Sequence, residues 1–252
     1  MKTDDSVTFS VIIPCFNSEK TITQCVNSVV SQTHLPNEII FIDDNSQDYT
    51  IKIIKELKEH FKKKILFKII ENNENKGPGY SRNIGWNHAN SKYIAFLDSD
   101  DIWTENKLEI QKEQLINLNF PDLIGAKCFS NRNHSAKISK ITLSQLFWKN
   151  PFCTSTILIK KSVNDRFDNK YYSEDFLLWA KIISNHKEAY CYKGQLSKPI
   201  STRGLSNQNF KMYLGELRVI QFLSKKTNYI FFIPGAMWVT IKFFKRAINF
   251  EN

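Results

Sequence analysis

Along the first hundred residues, short apolar runs alternate with segments whose apolar residues return every three or four positions. Phe9–Phe16 (FSVIIPCF) is a run of β-formers without alternation, the pattern of a central parallel strand covered on both faces. Asn17 and Ser18 follow as good N-caps, and Ile22, Cys25, Val26, Val29 and Val30 then fall at helical spacing. Glu38–Ile42 predicts a second strand, ending in Asp43-Asp44, and Ile53, Ile54, Leu57 and Phe61 mark a second helix. Ile65–Ile70 predicts a third strand. A polar loop from Glu71 (ENNENKGPG) leads to a short helix over Tyr80–Ala89 and a strand over Tyr93–Leu97.

Further on, Thr104 can cap a helix carrying Leu108, Leu115 and Leu118, and Asp122–Phe129 and Thr156–Ile159 read as strands. Ser173-Glu174-Asp175 opens a helix running to about Ile183. There is no internal repeat and no low-complexity linker. Strands alternating with helices imply right-handed parallel crossovers, with ligands bound beyond the carboxyl ends of the strands. Pro14–Asn17, Asp43-Asp44 and Asp98–Asp101 all follow strands, so they gather at one edge of the sheet.

At 252 residues and 42% hydrophobic, the chain can bury a full core. The first ten residues show no secretory signal. The five cysteines are an odd set without a Cys-x-x-Cys pair, which argues against a disulfide framework or zinc ribbon and for reduced thiols in a cytoplasmic protein. A formal charge of +10 suggests an anionic partner. From Ser201 on, eight Lys or Arg face two Glu. The end of the chain, Tyr229–Phe250, is rich in aromatics, is broken by Pro234-Gly235 and carries Lys242, Lys245 and Arg246. Its unbroken apolar stretch is too short to span a bilayer, and the segment fits either an interfacial segment on anionic lipid or a terminal helix packed on the domain.

The candidate chemistry centres on Tyr93–Asp101, where an apolar run ends in Asp98-Ser99-Asp100-Asp101. Side chains alternate along a strand, so Asp98 and Asp100 point the same way and can grip one hard divalent cation beside substrate phosphates. Aspartates also end strands and cap helices, so this pair alone does not decide. The histidines show no metal spacing, and no Ser-His-Asp or catalytic Cys arrangement can be read.

In order, SVIIPCFN, FIDDNSQD, NKGPGYSRNIG, FLDSDD and YYSEDFLLW resemble the motifs of family 2 glycosyltransferases, over roughly Ser10 to Trp179. The resemblance implies the α/β GT-A fold, a Rossmann-like nucleotide-diphospho-sugar transferase architecture with a mixed central sheet and a C-terminal helical extension. It divides the chain into a glycosyltransferase domain over 1–206, with nucleotide-binding and acceptor halves meeting near 103, and an extension over 207–252. The activity implied is inverting transfer of a sugar, from a UDP-sugar donor to a saccharide or lipid-linked saccharide in cell-surface polysaccharide synthesis. The place implied is the inner face of the cytoplasmic membrane, with peripheral contact through 229–250.

Carried over residue by residue, the resemblance gives the nucleoside to Pro14, Phe16, Asn17 and Asp44, with Asp44 favoured over Asp43 for the base edge. Gly77 and Gly79 permit close backbone approach, and Arg82 can fork onto a diphosphate. Mn2+ or Mg2+ would sit on Asp100 and Asp98, with Asp98 and Ser99 also near the donor. Asp175 becomes the general base, and Glu174 and Trp179 line the acceptor site. Ser173-Glu174-Asp175 is equally a good helix start, where acids offset the macrodipole. Arg203, in KPISTRGLS, is a looser match to a loop closing over the diphosphate.

Three other classes find less support in the sequence. A sugar-nucleotide nucleotidyltransferase needs a Gly-rich basic loop after the first strand, where PCFNSEK supplies none. A nucleic-acid-binding module rests on charge alone. A dinucleotide oxidoreductase lacks Gly-x-Gly-x-x-Gly after the first strand.

Overall fold

The computed structural model describes residues 7–127, 137–168, 172–185, 188–200, 209–227 and 232–248. Strands β1 (Phe9–Cys15), β2 (Glu38–Asp43), β3 (Leu66–Glu71) and β4 (Tyr93–Phe96) alternate with helices α1 (Ile22–Val30), α2 (Thr50–Phe61) and α3 (Pro78–His88). After β5 (Asp101–Trp103) come α4 (Lys107–Asn117), β6 (Leu123–Ala126), β7 (Ile138–Lys140) and α5 (Leu143–Leu146). A 3-10 turn (Thr154–Thr156) then leads to β8 (Leu158–Lys160), α6 (Glu174–Ser184), β9 (Ala189–Tyr192), β10 (Ser197–Pro199), α7 (Asn209–Lys226) and α8 (Phe232–Ile248).

The main sheet has the order β3-β2-β1-β4-β8-β6-β9-β7, and β10 pairs antiparallel with β5 in a small second sheet. β1 is parallel to both β2 and β4, and β2 to β3. β8 runs antiparallel to β4 and β6, so the sheet is mixed as expected. Every residue of β1 and β2 is buried, which is why neither alternates in sequence. Ile12 joins the core under α3, α6, α7 and α8, while Val11 and Ile13 join the core under α1, α2 and α4.

Several boundaries differ from expectation. α1 starts at Ile22, not after Asn17-Ser18, because Asn17 adopts a left-handed φ of 49° and the Ser18 carbonyl receives the first helical N–H groups. β5 was hidden by the acidic run before it, and β7, β9 and β10 fall outside the predicted strands. Pro234-Gly235 does not break the last segment. Both lie in the first turn of α8, where a missing N–H leaves no gap in the helix. Cys15, Cys25 and Cys191 are free and buried, whereas Cys153 is disulfide-bonded, which corrects the expectation of uniformly reduced thiols.

Candidate active site

Because β1, β2 and β4 run parallel, their carboxyl ends deliver Pro14–Asn17, Asp43–Ser46 and Leu97–Asp101 to one edge. Hydrogen bonds tie these loops together. Asn17 N–H donates to Ser46 Oγ (2.9 Å), Gln47 N–H donates to Asn17 Oδ1 (2.8 Å), and the Ser18 and Ser99 hydroxyls pair at 2.7 Å. Phe16 stands half exposed above this edge, while Pro14 is buried in β1.

Asp43 and Asp44 are both buried, and they face different partners. Asp43 accepts from the N–H and hydroxyl of Ser46. Asp44 holds the glycine-rich loop, accepting from Asn72 Nδ2 (2.8 Å), Lys76 N (3.1 Å) and Gly77 N (2.7 Å). A carboxylate offers about four acceptor positions, so the base edge expected at Asp44 would have to share oxygens already engaged. Gly77 has a φ of 86°, which only glycine takes without strain, and it turns the loop into α3 with Pro78 as the first helical residue.

Arg82, on α3, is buried and lies between two carboxylates. Its Nη2 donates to Asp98 Oδ1 at 2.6 Å and its Nη1 to Glu174 Oε1 at 3.2 Å. Burial opposes the charge, but Asp98 and Glu174 outweigh it and hold the guanidinium above its ordinary pKa. The residue expected on a diphosphate therefore bridges the acidic end of β4 to the start of α6. Asp100 and Asp101 are pushed up, Asp101 to about 6, first by burial and then by the Asp98 charge.

At the other end of that bridge, Ser173 takes a left-handed φ of 61° and launches α6 with Glu174 and Asp175. Asp175 Oδ1 accepts from Phe176 N (2.6 Å), and Oδ2 accepts from Thr154 Oγ1 (3.1 Å) and Asn150 Nδ2 (3.5 Å). Burial raises the pKa of both acids, against the pull of Arg82.

The turn before β8 ties the two acidic groups together, and sequence reasoning missed it. Thr154 binds Asp175, and Ser155 Oγ accepts from Asp98 N (3.1 Å). Trp103 Nε1 fixes the Ser155 carbonyl at 2.6 Å. The available signal was a run of three hydroxyl residues, Thr154-Ser155-Thr156, just before an apolar strand. Trp179 corrects its expectation. It has no exposed surface and packs edge-on against Phe152 and Phe167, so it lies in the core beneath the acids and cannot floor an acceptor site. Arg203 lies outside the described residues.

The chain matches the Glycosyl transferase family 2 model over residues 10–167. The chain belongs to glycosyl transferase family 2. Its relatives include the Escherichia coli enzyme WfgD, a UDP-Glc:alpha-D-GlcNAc-diphosphoundecaprenol beta-1,3-glucosyltransferase, 27% identical over 98% of each chain. WfaP of the same organism, which carries the same activity name, is 32% identical over 69% of this chain and 70% of its own. Among solved structures, Staphylococcus aureus TarS 1-349 in complex with UDP-GlcNAc superposes with a TM-score of 0.66 at 22% identity, over 87% of this chain and 66% of that one. The chain spans 44% of the longer TarS chain. Pyrobaculum calidifontis PcManGT, in complex with GDP-Man and Mn2+, gives 0.70 at 16% identity, over 86% of this chain and 64% of that one. These structural likenesses establish the GT-A fold, and the family makes this chain a glycosyltransferase.

β4 ends at Phe96, so Asp98 and Asp100 lie in the turn that follows it rather than alternating along the strand, and Asp98 is already paired with Arg82. Among the described residues no three acidic, His or Cys side chains converge as a complete metal site. Mg2+-type ions are commonly held by one or two carboxylates plus substrate phosphates, and two carboxylates are what Asp98 and Asp100 offer.

Proposed function

We propose that this glycosyltransferase moves a sugar from a UDP-sugar to a saccharide carried on a lipid diphosphate, with inversion at the anomeric carbon. The observation that carries the reading is the joining of two acidic groups, Asp98–Asp101 and Glu174-Asp175, through Arg82 and the Thr154–Thr156 turn. The glucosyltransferase activities named for WfgD and WfaP support the donor and the acceptor class.

The loops bearing Phe16, Asn17 and Gly77 cradle the nucleotide, with Asp44 holding the Gly77 loop in place. Asp100, with Asp98, would hold Mn2+ or Mg2+, which supplies charge stabilisation for the departing diphosphate when bound. Asp175 accepts the proton of the acceptor hydroxyl as its oxygen bonds to the anomeric carbon and the bond to UDP breaks from the opposite face. Glu174, pinned by Arg82, borders the acceptor side. The lipid carrier accords with peripheral membrane contact through 229–250 at the inner face of the cytoplasmic membrane.

Thermal unfolding with UDP, GDP and CDP, each with and without Mn2+, tests the donor site. A ligand at 100 times its Kd stabilises the fold by about 2.7 kcal/mol, so UDP with Mn2+ should raise Tm and Asp100→Asn should remove the metal-dependent part. A rise with GDP or CDP alone would overturn the UDP assignment.

A further inference from the structure

The proposed chemistry leaves two surface stripes of the α7–α8 hairpin unused. Along α7 the exposed residues Lys211, Leu214, Arg218, Gln221 and Lys225 are three or four apart and share one face. The only acid of α7, Glu216, is turned inward and paired with Lys242 of α8. Along α8, Ile233, Met237, Ile241 and Phe244 repeat at the same spacing and are 69, 60, 44 and 58% exposed. The opposite side of α8 is already covered, with Val239 in the core and Gly235 against Ile220 and Phe147. The helix therefore packs on the domain and still presents a second apolar face. Its sequence holds Lys242, Lys245 and Arg246 and no acid.

This face runs on to the proposed base. Trp238, next to Met237, donates its Nε1–H to the Trp148 carbonyl at 2.7 Å, and the two exposed indoles meet edge-on at 6.4 Å. Trp148 begins the segment whose Asn150 and Thr154 reach Asp175. From the other side, α7 passes so close to the start of α6 that a Cβ on Gly215 would press into the Tyr172 carbonyl oxygen.

We propose that the apolar stripe of α8, the basic stripe of α7 and the Trp148–Trp238 pair dock together on the interface of an anionic phospholipid bilayer, setting the segment that reaches Asp175 next to the membrane surface. Indoles suit the headgroup level, and an amphipathic helix with basic flanks lies in the interfacial plane. A bilayer fits better than a second copy of the chain, because a self-contact through this face would set its basic residues against one another, whereas anionic headgroups complement them. Among the described residues no helix is long and apolar enough to cross a membrane, so the contact is peripheral. The inference deepens the lipid-linked acceptor reading, but docking is measured without any acceptor.

The test is flotation of the full chain with phosphatidylglycerol/phosphatidylcholine vesicles and with phosphatidylcholine vesicles alone. Preferential binding to the anionic vesicles, weakened by salt, is expected. Combined Ile233→Glu, Met237→Glu and Ile241→Glu should lower partitioning more than about tenfold, since three apolar side chains leave the interface. Arg218→Gln with Lys225→Gln should lower it about fivefold per charge. Both variants should transfer to a water-soluble acceptor analogue at the wild-type rate and lose rate on a vesicle-embedded acceptor. Absence of anionic-vesicle binding by the wild type, or undiminished binding by the triple Glu variant, overturns the proposal. So does a wild-type dimer that the triple Glu variant dissociates without any vesicle binding. Vesicle binding with no transfer to either acceptor supports docking and overturns the acceptor reading.

Discussion

Replacing Asp175 by Asn separates chemistry from stability at the proposed base. The amide keeps an oxygen for Phe176 N–H, and its nitrogen can donate to Thr154 Oγ1, whose hydroxyl is free to rotate, so that only the 3.5 Å contact from Asn150 Nδ2 loses its acceptor. The local frame therefore survives while the proton acceptor is lost. General-base catalysis typically contributes 10² to 10⁴, so kcat should fall by about that factor, equivalent to about 3–5 kcal/mol at 1.36 kcal/mol per decade. Stability should move the other way. Burial raises the folded pKa of Asp175 above its unfolded value, so the ionised group disfavours the fold. That penalty is absent below the unfolded pKa, grows as pH rises toward the folded pKa and is full above it. Asp175→Asn should thus be at least as stable as the wild type at pH 7–8, with the difference vanishing near pH 4. In the wild type, kcat/KM should fall on acidification through a midpoint above the usual aspartate range. The assay is transfer from the UDP-sugar donor to a lipid-diphosphate acceptor analogue, with thermal melts at each pH. A variant rate within tenfold of wild type would refute the base assignment, and a lower Tm at neutral pH would refute the buried-charge penalty.

Arg82→Met should leave Asp98 and Glu174 facing each other uncompensated and lower stability by about 3 kcal/mol, read by urea unfolding. Wild-type stability in that variant would mean that solvent already screens the bridge. Gly77→Ala should cost about 1–3 kcal/mol, since the backbone at φ 86° strains any other residue although the added methyl meets no neighbour, and UDP affinity should drop with the loop. Gly215→Ala presses on a main-chain oxygen and should cost about 1–3 kcal/mol in a thermal melt, with kcat falling while KM for the donor holds. An unchanged kcat there would mean that α7 does not position the acids.

The alternation of buried apolar runs with helical spacing determined the parallel half of the sheet. A strand covered on both faces must be apolar at every position, and β1 and β2 are. The same local logic placed Pro14–Asn17, Asp43-Asp44 and Asp98–Asp101 at one edge, because parallel strands send all their carboxyl ends the same way. Only the tertiary structure decided which partner each polar group meets. Arg82 and Glu174 are 92 residues apart, and nothing near Arg82 in sequence signals that its guanidinium spans two acidic groups. Asp44 and Gly77, 33 apart, are likewise joined only by the fold. Trp179 has the helical spacing of either a cleft wall or a core residue, and its neighbours Phe152 and Phe167 made it core. The hydroxyl turn at Thr154–Thr156 carries no periodic signal at all. Periodicity records which side of an element faces the interior, whereas hydrogen bonds between distant segments depend on where the chain returns, and that is settled by packing.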